Sequence, residues 1–414
     1  MELAVLGGRA VREKPMPAWP VFTSEEEKLL QEVLRSRTWG GYSNYVGALE
    51  TALARLQGVR HVISCCNGTV ALEVALRALG LECGEEVIVP PITFVSTATT
   101  VMLCHGVPVF ADIDPNSLNL SPAAAAAAIS PRTRAIMAVH FGGHAADLDA
   151  LTALAERKGL ALIEDCAHAH GAAWRGIPVG NFGVAATFSF QAFKLMTAGE
   201  GGAVLTNSPD VAQKAWSYCN LGRRQGAGWY EHFTLGSNYR LTGFQAAVLC
   251  AQLERLAEQN QRREENARYF RERMRSFQGL ALTADDPRVT VHPRYIVTLR
   301  YNPAAFAGAA RDLFLRAVRA EGIPAQPAYP HPLYRNPLFR RASLPPCACG
   351  NWRASQDYES LDLPESERLC REGVWLEHYV FLGGHEDIDD VVAAFEKVQR
   401  HAASLVQHQE GAQS

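Results

Sequence analysis

Short apolar segments alternate with helical segments along the first half of the chain. Five of the apolar segments have the length and composition of buried strands, at residues 62–65, 87–89, 107–110, 135–139 and 160–165. Between them, apolar residues recur at helical spacing, as around residues 70–76 and 151–154. Strands that are apolar throughout and alternate with helices are typical of a mainly parallel sheet covered on both faces. The pattern predicts an α/β fold.

A long helix beginning near Gly243 separates this alternation from a different pattern. Its first part carries an apolar stripe and its later part is strongly charged, which indicates a helix that bridges two domains. Beyond it, a strand at residues 295–300 is followed by further helices. We therefore expect a large domain with an N-terminal arm over residues 1–255 and a smaller α+β domain over residues 256–414. The last residues, from position 401, are expected to be frayed.

Length, composition and charge narrow the class of protein. With 414 residues, of which 48% are hydrophobic, the chain can bury a large core. A formal net charge of -3 gives no attraction to nucleic acid or anionic membranes. No apolar run approaches the length of a membrane span, and the first residues lack the features of a signal peptide. We expect a cytoplasmic protein that binds neither nucleic acid nor membrane.

Ten cysteines raise the question of metal binding or disulfides. Cys65 and Cys66 are adjacent, and most of the others, such as Cys83 and Cys166, are scattered along the chain. These cysteines are expected to be buried thiols. Cys347 and Cys349 are closely spaced, but no second pair with zinc-type spacing follows them. The sequence therefore predicts no metal site and leaves the role of this pair open.

A single lysine follows a short aromatic strand and precedes a glycine-rich turn. This residue is Lys194, and the turn leads into a further apolar strand at residues 203–205. A lysine among apolar neighbours loses hydration, its pKa falls, and the amine becomes a nucleophile toward an aldehyde. Taken alone, the pattern is a weak signal, because a lysine after a strand is far more often a solvated surface charge. Other features of the chain decide between the two.

Two further features follow strand ends. Gly68 and Thr69 lie between a predicted strand and a helix, whose first amides have no intrahelical acceptor and can bind a phosphate. The alternative is an ordinary helix cap. Asp165 stands at the carboxyl end of another strand, where ligands of such sheets bind and where a buried carboxylate needs a positive charge nearby.

One cofactor accounts for the lysine, the aspartate and the phosphate turn together. Pyridoxal 5'-phosphate (PLP) requires an amine for its aldehyde, a carboxylate that keeps its pyridine nitrogen protonated, and an anion-binding turn. Lys194 supplies the amine, and Asp165 is the residue expected at the ring nitrogen. The sequence therefore predicts a PLP site.

At this point the chain resembles a known family. The segments at residues 67–69, 91–95, 164–171, 189–202 and 236–242 are similar to motifs of the sugar and cyclitol aminotransferases called the DegT/DnrJ/EryC1/StrS family. The resemblance extends from about residue 29 to residue 395. It implies the type I, aspartate aminotransferase-like PLP fold: a mostly parallel seven-stranded sheet flanked by helices, and a smaller C-terminal α+β domain.

The resemblance also implies roles around the cofactor ring. Lys194 binds the cofactor covalently, is displaced by the incoming amine and then moves protons, while Asp165 meets the ring nitrogen. His168 occupies the place beside the phenolic oxygen, and Phe94 that of the aromatic stacked on the ring. For His168 the alternative is a hydrogen-bonded structural histidine, and for Phe94 it is packing in the core.

The same resemblance assigns the phosphate site and the assembly. Gly68, Thr69 and Ser189 would bind the phosphate. Asn238 matches an asparagine that reaches into the neighbouring subunit's site. The resemblance thus implies a homodimer with shared active sites.

Within the family, Lys194 distinguishes transaminases from relatives that carry a histidine there and remove water. Segments at residues 194–202, 229–232 and 374–378 resemble the subgroup of scyllo-inosose aminotransferases and aminohydroxybenzoate synthases. This resemblance favours transfer of an amino group from L-glutamine, with L-glutamate as the alternative donor, to a free cyclitol ketone. Scyllo-inosose and 2-deoxy-scyllo-inosose are such ketones, and the reaction would belong to biosynthesis of the aminoglycoside type.

Loop residues are candidates for contacts with the substrate. Tyr329 and His331 lie in a proline-rich loop, and Tyr42 lies in an aromatic loop that could either wall a pocket or anchor itself to the core. Three alternatives stay open: a 3-amino-5-hydroxybenzoate synthase-like enzyme that removes water, a nucleotide-sugar aminotransferase using Arg223 and Arg224, and a non-catalytic sensor of the same fold.

Overall fold

The computed structural model describes residues 2–340 and 356–413, so the Cys347 and Cys349 pair lies outside the described residues. The α-helices are α1 (Ser24–Ser36), α2 (Asn44–Gln57), α3 (Gly68–Leu79), α4 (Ser96–Leu103), α5 (Pro122–Ala127), α6 (Leu148–Lys158), α7 (Pro209–Cys219), α8 (Gly243–Arg273), α9 (Arg311–Ala320), α10 (Pro364–Glu372), α11 (His385–Arg400) and α12 (Ala402–Gln413). The strands are β1 (His61–Cys65), β2 (Glu86–Val89), β3 (Val107–Phe110), β4 (Thr133–Val139), β5 (Ala161–Asp165), β6 (Ala173–Trp174), β7 (Ile177–Pro178), β8 (Ala185–Ser189), β9 (Gly202–Thr206), β10 (Leu280–Leu282), β11 (Val289–Val291), β12 (Ile296–Tyr301), β13 (Gln326–Pro327) and β14 (Gly373–Glu377).

Seven strands form the central sheet in the order β1-β9-β8-β5-β4-β2-β3. The pairs among β8, β5, β4, β2 and β3 are parallel, whereas β9 runs antiparallel to both of its neighbours. The middle strands are almost wholly buried because helices cover both faces, as the apolar strand segments require. The predicted mostly parallel, seven-stranded sheet is confirmed.

The register of this sheet brings several strand ends to one edge. Asp165 at the end of β5 pairs with Thr187 of β8, and Ser189 at the end of β8 pairs with Gly202 at the start of β9. Gly202 also pairs with Cys65, the last residue of β1 before α3. Because these positions are adjacent, the turn at Gly68, Asp165 and the turn that carries Lys194 lie at a single edge of the sheet.

A smaller antiparallel sheet in the order β10-β12-β14-β13 organises the C-terminal part of the chain. Helices α9 and α11 pack on it through a core that includes Leu299, Phe314 and Phe395. The 31-residue helix α8 contacts elements of both parts, since it packs on α1 and α2 and also on α11. The boundary predicted at residue 255 lies inside this helix.

Two sequence-based expectations are wrong. The C-terminal residues, expected to be frayed, form α12, because Ala402 and Leu405 pack into the core of the smaller sheet. Cys83, expected to be a buried thiol, is disulfide-bonded. The expectation of free thiols is confirmed at Cys65 and Cys166, both buried.

Within residues 2–340 and 356–413, no helix combines the length and the apolar character that crossing a membrane requires.

Candidate active site

A cavity of about 680 Å³ opens where the strand ends of the central sheet face the smaller sheet. One side is built by the first turn of α3, the start of α4 and the ends of β5 and β8. The opposite side is built by the start of β12 and the end of β14. This is the position in which open α/β sheets bind ligands.

Lys194 lies in the turn that follows β8 and lines this cavity. Its Nζ donates a hydrogen bond to the Tyr295 hydroxyl at 3.4 Å and lies 4.8 Å from the centroid of that ring. Desolvation lowers the pKa of Lys194 to about 8, although the negative charge of Asp165 opposes this effect. The lowered pKa increases the fraction of Lys194 in the neutral form, which is the form that acts as a nucleophile.

Asp165 is the last residue of β5 and is buried. Its Oδ2 accepts a hydrogen bond from the Thr97 hydroxyl at 3.1 Å, and its Oδ1 accepts one from the Ala167 amide at 3.2 Å. Burial raises the pKa of this carboxyl group, an effect that outweighs the two hydrogen bonds and the charge of Lys194. Burial disfavours the ionised form of Asp165. A cation placed against the carboxylate would favour that form, and the two opposite charges would stabilise each other.

The first turn of α3 approaches β8 closely. Asn67 caps the helix by accepting a hydrogen bond from the Val70 amide at 2.8 Å. A Cβ at Gly68 would lie 2.6 Å from the Ser189 Cβ, so only glycine fits. Thr69 and Ser189 line the cavity beside it, and the Thr69 hydroxyl is 2.6 Å from that of Ser96. The amides at this helix start have no intrahelical acceptor and are able to bind an anion.

His168 and Phe94 face the same cavity. The buried His168 ring stacks on Tyr295, with centroids 4.3 Å apart and planes at 26°. Its Nδ1 has no hydrogen-bond partner among the described residues, unlike a hydrogen-bonded structural histidine. Phe94 is 60% exposed and lines the cavity, which contradicts the alternative that it packs in the core.

These features fit PLP. The buried Asp165 suits a ring nitrogen that carries a proton, and the glycine-lined start of α3 suits a phosphate. The Nδ1 of His168 and the hydroxyl of Thr187 are buried, have no partner among the described residues, and belong to residues that line the cavity. Such orphaned polar atoms are costly unless a bound group satisfies them.

The wall opposite the central sheet carries residues that the sequence did not assign to the site. Tyr295, Trp375 and Glu377 line it together with the predicted Tyr329, whose ring packs edge-on against Trp375 at 4.9 Å. The Trp375 Nε1 is buried and has no partner in the described chain. Burial raises the pKa of Glu377. The family-like segment at residues 374–378 was the only signal in the sequence.

Three predicted residues lie outside the cavity of this chain. Tyr42 is exposed, and its hydroxyl accepts a hydrogen bond from Arg223 Nη1 at 3.3 Å. Asn238 is exposed and forms an isolated bridge with Asn220. His331 lies in its loop, with Nδ1 3.1 Å from the Pro332 carbonyl.

Among the described residues, one group of possible metal ligands is formed by His140, Glu164 and Cys166, at the ends of β4 and β5. Its ligand atoms are already engaged. The Glu164 oxygens accept hydrogen bonds from three backbone amides, those of Gly180, Phe182 and Gly183, and from His140 Nε2 at 3.1 Å. The His140 Nδ1 accepts one from the Ala146 amide. The group is therefore a structural hydrogen-bond network.

Comparisons with known proteins agree with this geometry. Residues 20–396 match the family model described as the DegT/DnrJ/EryC1/StrS aminotransferase family. The L-glutamine:2-deoxy-scyllo-inosose aminotransferase of Streptomyces lividus is 40% identical, over 97% of this chain and 99% of its own. The enzyme of the same name from Streptoalloteichus tenebrarius is 39% identical, over 98% and 99%.

A solved structure gives the same result for the fold. The crystal structure of 3-amino-5-hydroxybenzoic acid synthase superimposes with a TM-score of 0.86 at 33% identity, covering 94% of this chain and 99% of the other. Sequence, fold and site geometry converge: the chain belongs to the DegT/DnrJ/EryC1/StrS aminotransferase family and is a PLP-dependent aminotransferase.

Proposed function

We propose that this enzyme transfers the amino group of L-glutamine to the ketone of a cyclitol such as scyllo-inosose or 2-deoxy-scyllo-inosose, in aminoglycoside biosynthesis. The observation that carries the proposal is the position of the Lys194 amine, between the Asp165 side of the cavity and a wall rich in hydrogen-bonding groups. Relatives of about 40% identity that are named for this reaction support it.

PLP, when bound, supplies an aldehyde for amines and a ring that accepts electrons. Lys194 would bind that aldehyde and then, as a free amine, hold and move the proton of the substrate carbon. Asp165 would keep the ring nitrogen protonated. Phe94 would cover one face of the ring and thereby exclude water.

The remaining contacts would fix the position of the cofactor. Gly68 and Thr69 would donate their amides to the phosphate, with the Ser189 hydroxyl as a further donor. His168 would place its unpartnered Nδ1 beside the phenolic oxygen. These assignments follow the family resemblance and are supported by the shared cavity.

The composition of the far wall supports a neutral polyol as acceptor. Tyr295, Tyr329, Trp375 and Glu377, whose side chains carry hydroxyl, indole N–H and carboxylate groups, line one face of the cavity. A cyclitol presents several hydroxyl groups, each able to donate to one of these groups and accept from another. By its name, the structurally similar synthase makes a carboxylic acid. The Glu377 carboxylate would repel a substrate with a carboxylate near this wall.

We further propose a homodimer with shared active sites. Asn238 and Tyr42 are exposed and lie outside this chain's own cavity, where a second copy could use them. Large apolar side chains are also exposed, among them Trp229 (76%), Tyr230 (76%) and Leu235 (89%). Exposed apolar surface of this kind is characteristic of protein interfaces.

The acceptor is tested by offering candidate ketones to the holoenzyme with L-glutamine as donor. Scyllo-inosose, 2-deoxy-scyllo-inosose, a carboxylated cyclohexenone and a 4-keto nucleotide sugar are compared by kcat/KM, with the aminated product identified by mass spectrometry. The proposal predicts that a cyclitol ketone has the highest value. A higher value for the carboxylated ketone, with an aromatic product, would favour the synthase-like reaction instead.

A further inference from the structure

Two side chains from opposite ends of the chain bind the two peptide groups that precede Lys194. The Trp19 Nε1 donates a hydrogen bond to the Ala192 carbonyl at 3.0 Å. The His378 Nε2 lies 3.1 Å from the Phe193 carbonyl, which can only accept, so this nitrogen carries the proton. The two rings touch edge to face, with centroids 4.6 Å apart and planes at 89°.

The lysine turn makes few bonds of its own at this point. The Lys194 amide donates to the Gln191 carbonyl at 2.8 Å, and the Phe193 amide donates to the Gln191 side chain. No backbone amide of the described chain donates to the carbonyls of Ala192 or Phe193. Their orientation, and with it the start of the Lys194 side chain, therefore depends on Trp19 and His378.

The same histidine supports the ring that contacts the lysine amine. His378 stacks on Tyr295, with centroids 5.7 Å apart and planes at 17°. Tyr295 accepts the hydrogen bond of the Lys194 Nζ and stacks on His168. His378 thus contacts both the backbone before Lys194 and the ring at the end of its side chain.

Burial, assisted by a nearby buried arginine, keeps this histidine neutral. Arg263 of α8 is fully buried, lies 5.5 Å from the centroid of the Trp19 ring, and has no carboxylate in salt-bridge contact within the described residues. Its Nη1 donates to Asn260 at 2.9 Å. Burial, with the charge of Arg263 as a second cause, holds the pKa of His378 well below its usual range. A neutral ring with its proton on Nε2 remains a donor to Phe193 across the working pH range.

We propose that Trp19 and His378 are positioning residues that together clamp the lysine turn and hold the Lys194 amine against Tyr295. This inference rests on the proposed function, in which Lys194 is the reacting amine. Trp19 precedes α1 and His378 follows β14. The Lys194 amine is therefore correctly positioned only when the segment before α1 and the segment after β14 both pack against the lysine turn.

The test uses variants that keep a ring but lose the donor. Trp19→Phe and His378→Phe remove one hydrogen bond each, and His378→Gln retains a donor. Trp174→Phe is the matched control, because it removes another indole hydrogen bond, from the buried Trp174 to Asp149, and Trp174 does not line the cavity. Each holoenzyme is measured by kcat, by KM for L-glutamine, and by a pH titration of the visible band of the bound cofactor.

The clamp predicts that Trp19→Phe and His378→Phe lower kcat by about tenfold or more, with KM within about threefold, because a displaced amine reacts more slowly. It also predicts that the titration midpoint shifts by about half a pH unit or more as water reaches the lysine. Trp174→Phe should change only thermal stability, and His378→Gln should recover most of the kcat.

Two results would overturn the clamp: Trp19→Phe matching Trp174→Phe in kcat and midpoint, or His378→Gln being as impaired as His378→Phe. If His378→Phe does not retain the cofactor, Trp19→Phe and His378→Gln still decide. The midpoint requires no turnover, so the clamp is judged separately from the proposed reaction. A wild-type enzyme that forms the band but does not react with L-glutamine would reject the reaction instead.

Discussion

The contact between α3 and β8 makes Gly68→Ala a strict test of the phosphate site. A Cβ at this position would meet the Ser189 Cβ at 2.6 Å and its Cα at 3.1 Å. A change of the serine rotamer cannot remove these atoms. Ordinary contact begins at 3.4 Å, so the helix start and the strand end must separate by about 0.8 Å, the difference between 3.4 and 2.6 Å.

That separation would move the helix amides away from the proposed position of the cofactor phosphate. A hydrogen bond to a charged group contributes about 1.5–3 kcal/mol, so the loss of one should weaken cofactor binding by about 10- to 150-fold. The strain itself should lower the free energy of unfolding by about 1–3 kcal/mol. Absorbance titration of the cofactor-free protein with PLP measures the first effect, and denaturant unfolding measures the second.

Gly47→Ala is the matched control. Gly47 lies inside α2 with no atom within 4 Å of an added Cβ, so alanine should raise the free energy of unfolding by about 0.5–1 kcal/mol. It should leave PLP affinity unchanged. Wild-type PLP affinity in Gly68→Ala would refute the assignment of this turn to the phosphate.

Three further predictions follow from charges in the cavity. Glu377→Gln should raise kcat/KM for carboxylated acceptors relative to neutral cyclitol ketones by about fivefold, since a repulsion of about 1 kcal/mol is removed. Glu200 is an exposed carboxylate of the same cavity, and Glu200→Gln should change this ratio less. Equal effects of the two substitutions would contradict the role of Glu377. Asp165→Asn should retain covalently bound cofactor but slow the reaction with L-glutamine by about 100-fold or more in stopped-flow absorbance; an unchanged rate would remove Asp165 from the mechanism. For Lys194, the folded-state pKa of about 8 lies below the ordinary 10.5, so the unfolded chain binds more protons between these two pH values. The free energy of unfolding of the cofactor-free protein should therefore rise with pH over this range, as measured by urea unfolding, and Lys194→Met should lack this rise. An equal dependence of the unfolding free energy on pH in the two proteins would contradict the lowered pKa.

The α/β architecture and one side of the cavity are predictable from sequence because both depend on local patterns. Buried parallel strands are apolar throughout, and their carboxyl ends meet at one edge, so the sequence alone places Asp165 and Gly68 close together. The position of Lys194 is predictable for the same reason, since the turn after β8 lies at that edge. Hydrophobic pattern and strand direction suffice for these residues.

The opposite wall depends on pairing between distant segments. Trp375 and Glu377 reach the cavity because β14 pairs antiparallel with β12, about 80 residues earlier in the chain, and no local spacing encodes that pairing. Loop positions are harder still. Tyr329 reaches the cavity, whereas His331, two residues later in the same loop, does not. Loop geometry follows from packing rather than from the periodic spacing of apolar residues that marks helices and strands.

The reaction of the holoenzyme with L-glutamine tests the central claim most directly. Purified wild type and Lys194→Ala are loaded with PLP and followed by visible absorbance after L-glutamine is added, with the 2-oxo acid quantified in parallel. We predict that the wild-type band disappears with about one equivalent of 2-oxo acid per site, and that Lys194→Ala shows neither the wild-type band nor catalytic turnover. A wild-type band that persists with every amino donor, or a Lys194→Ala variant that turns over like wild type, would contradict the assignment of Lys194 as the reacting amine of an aminotransferase.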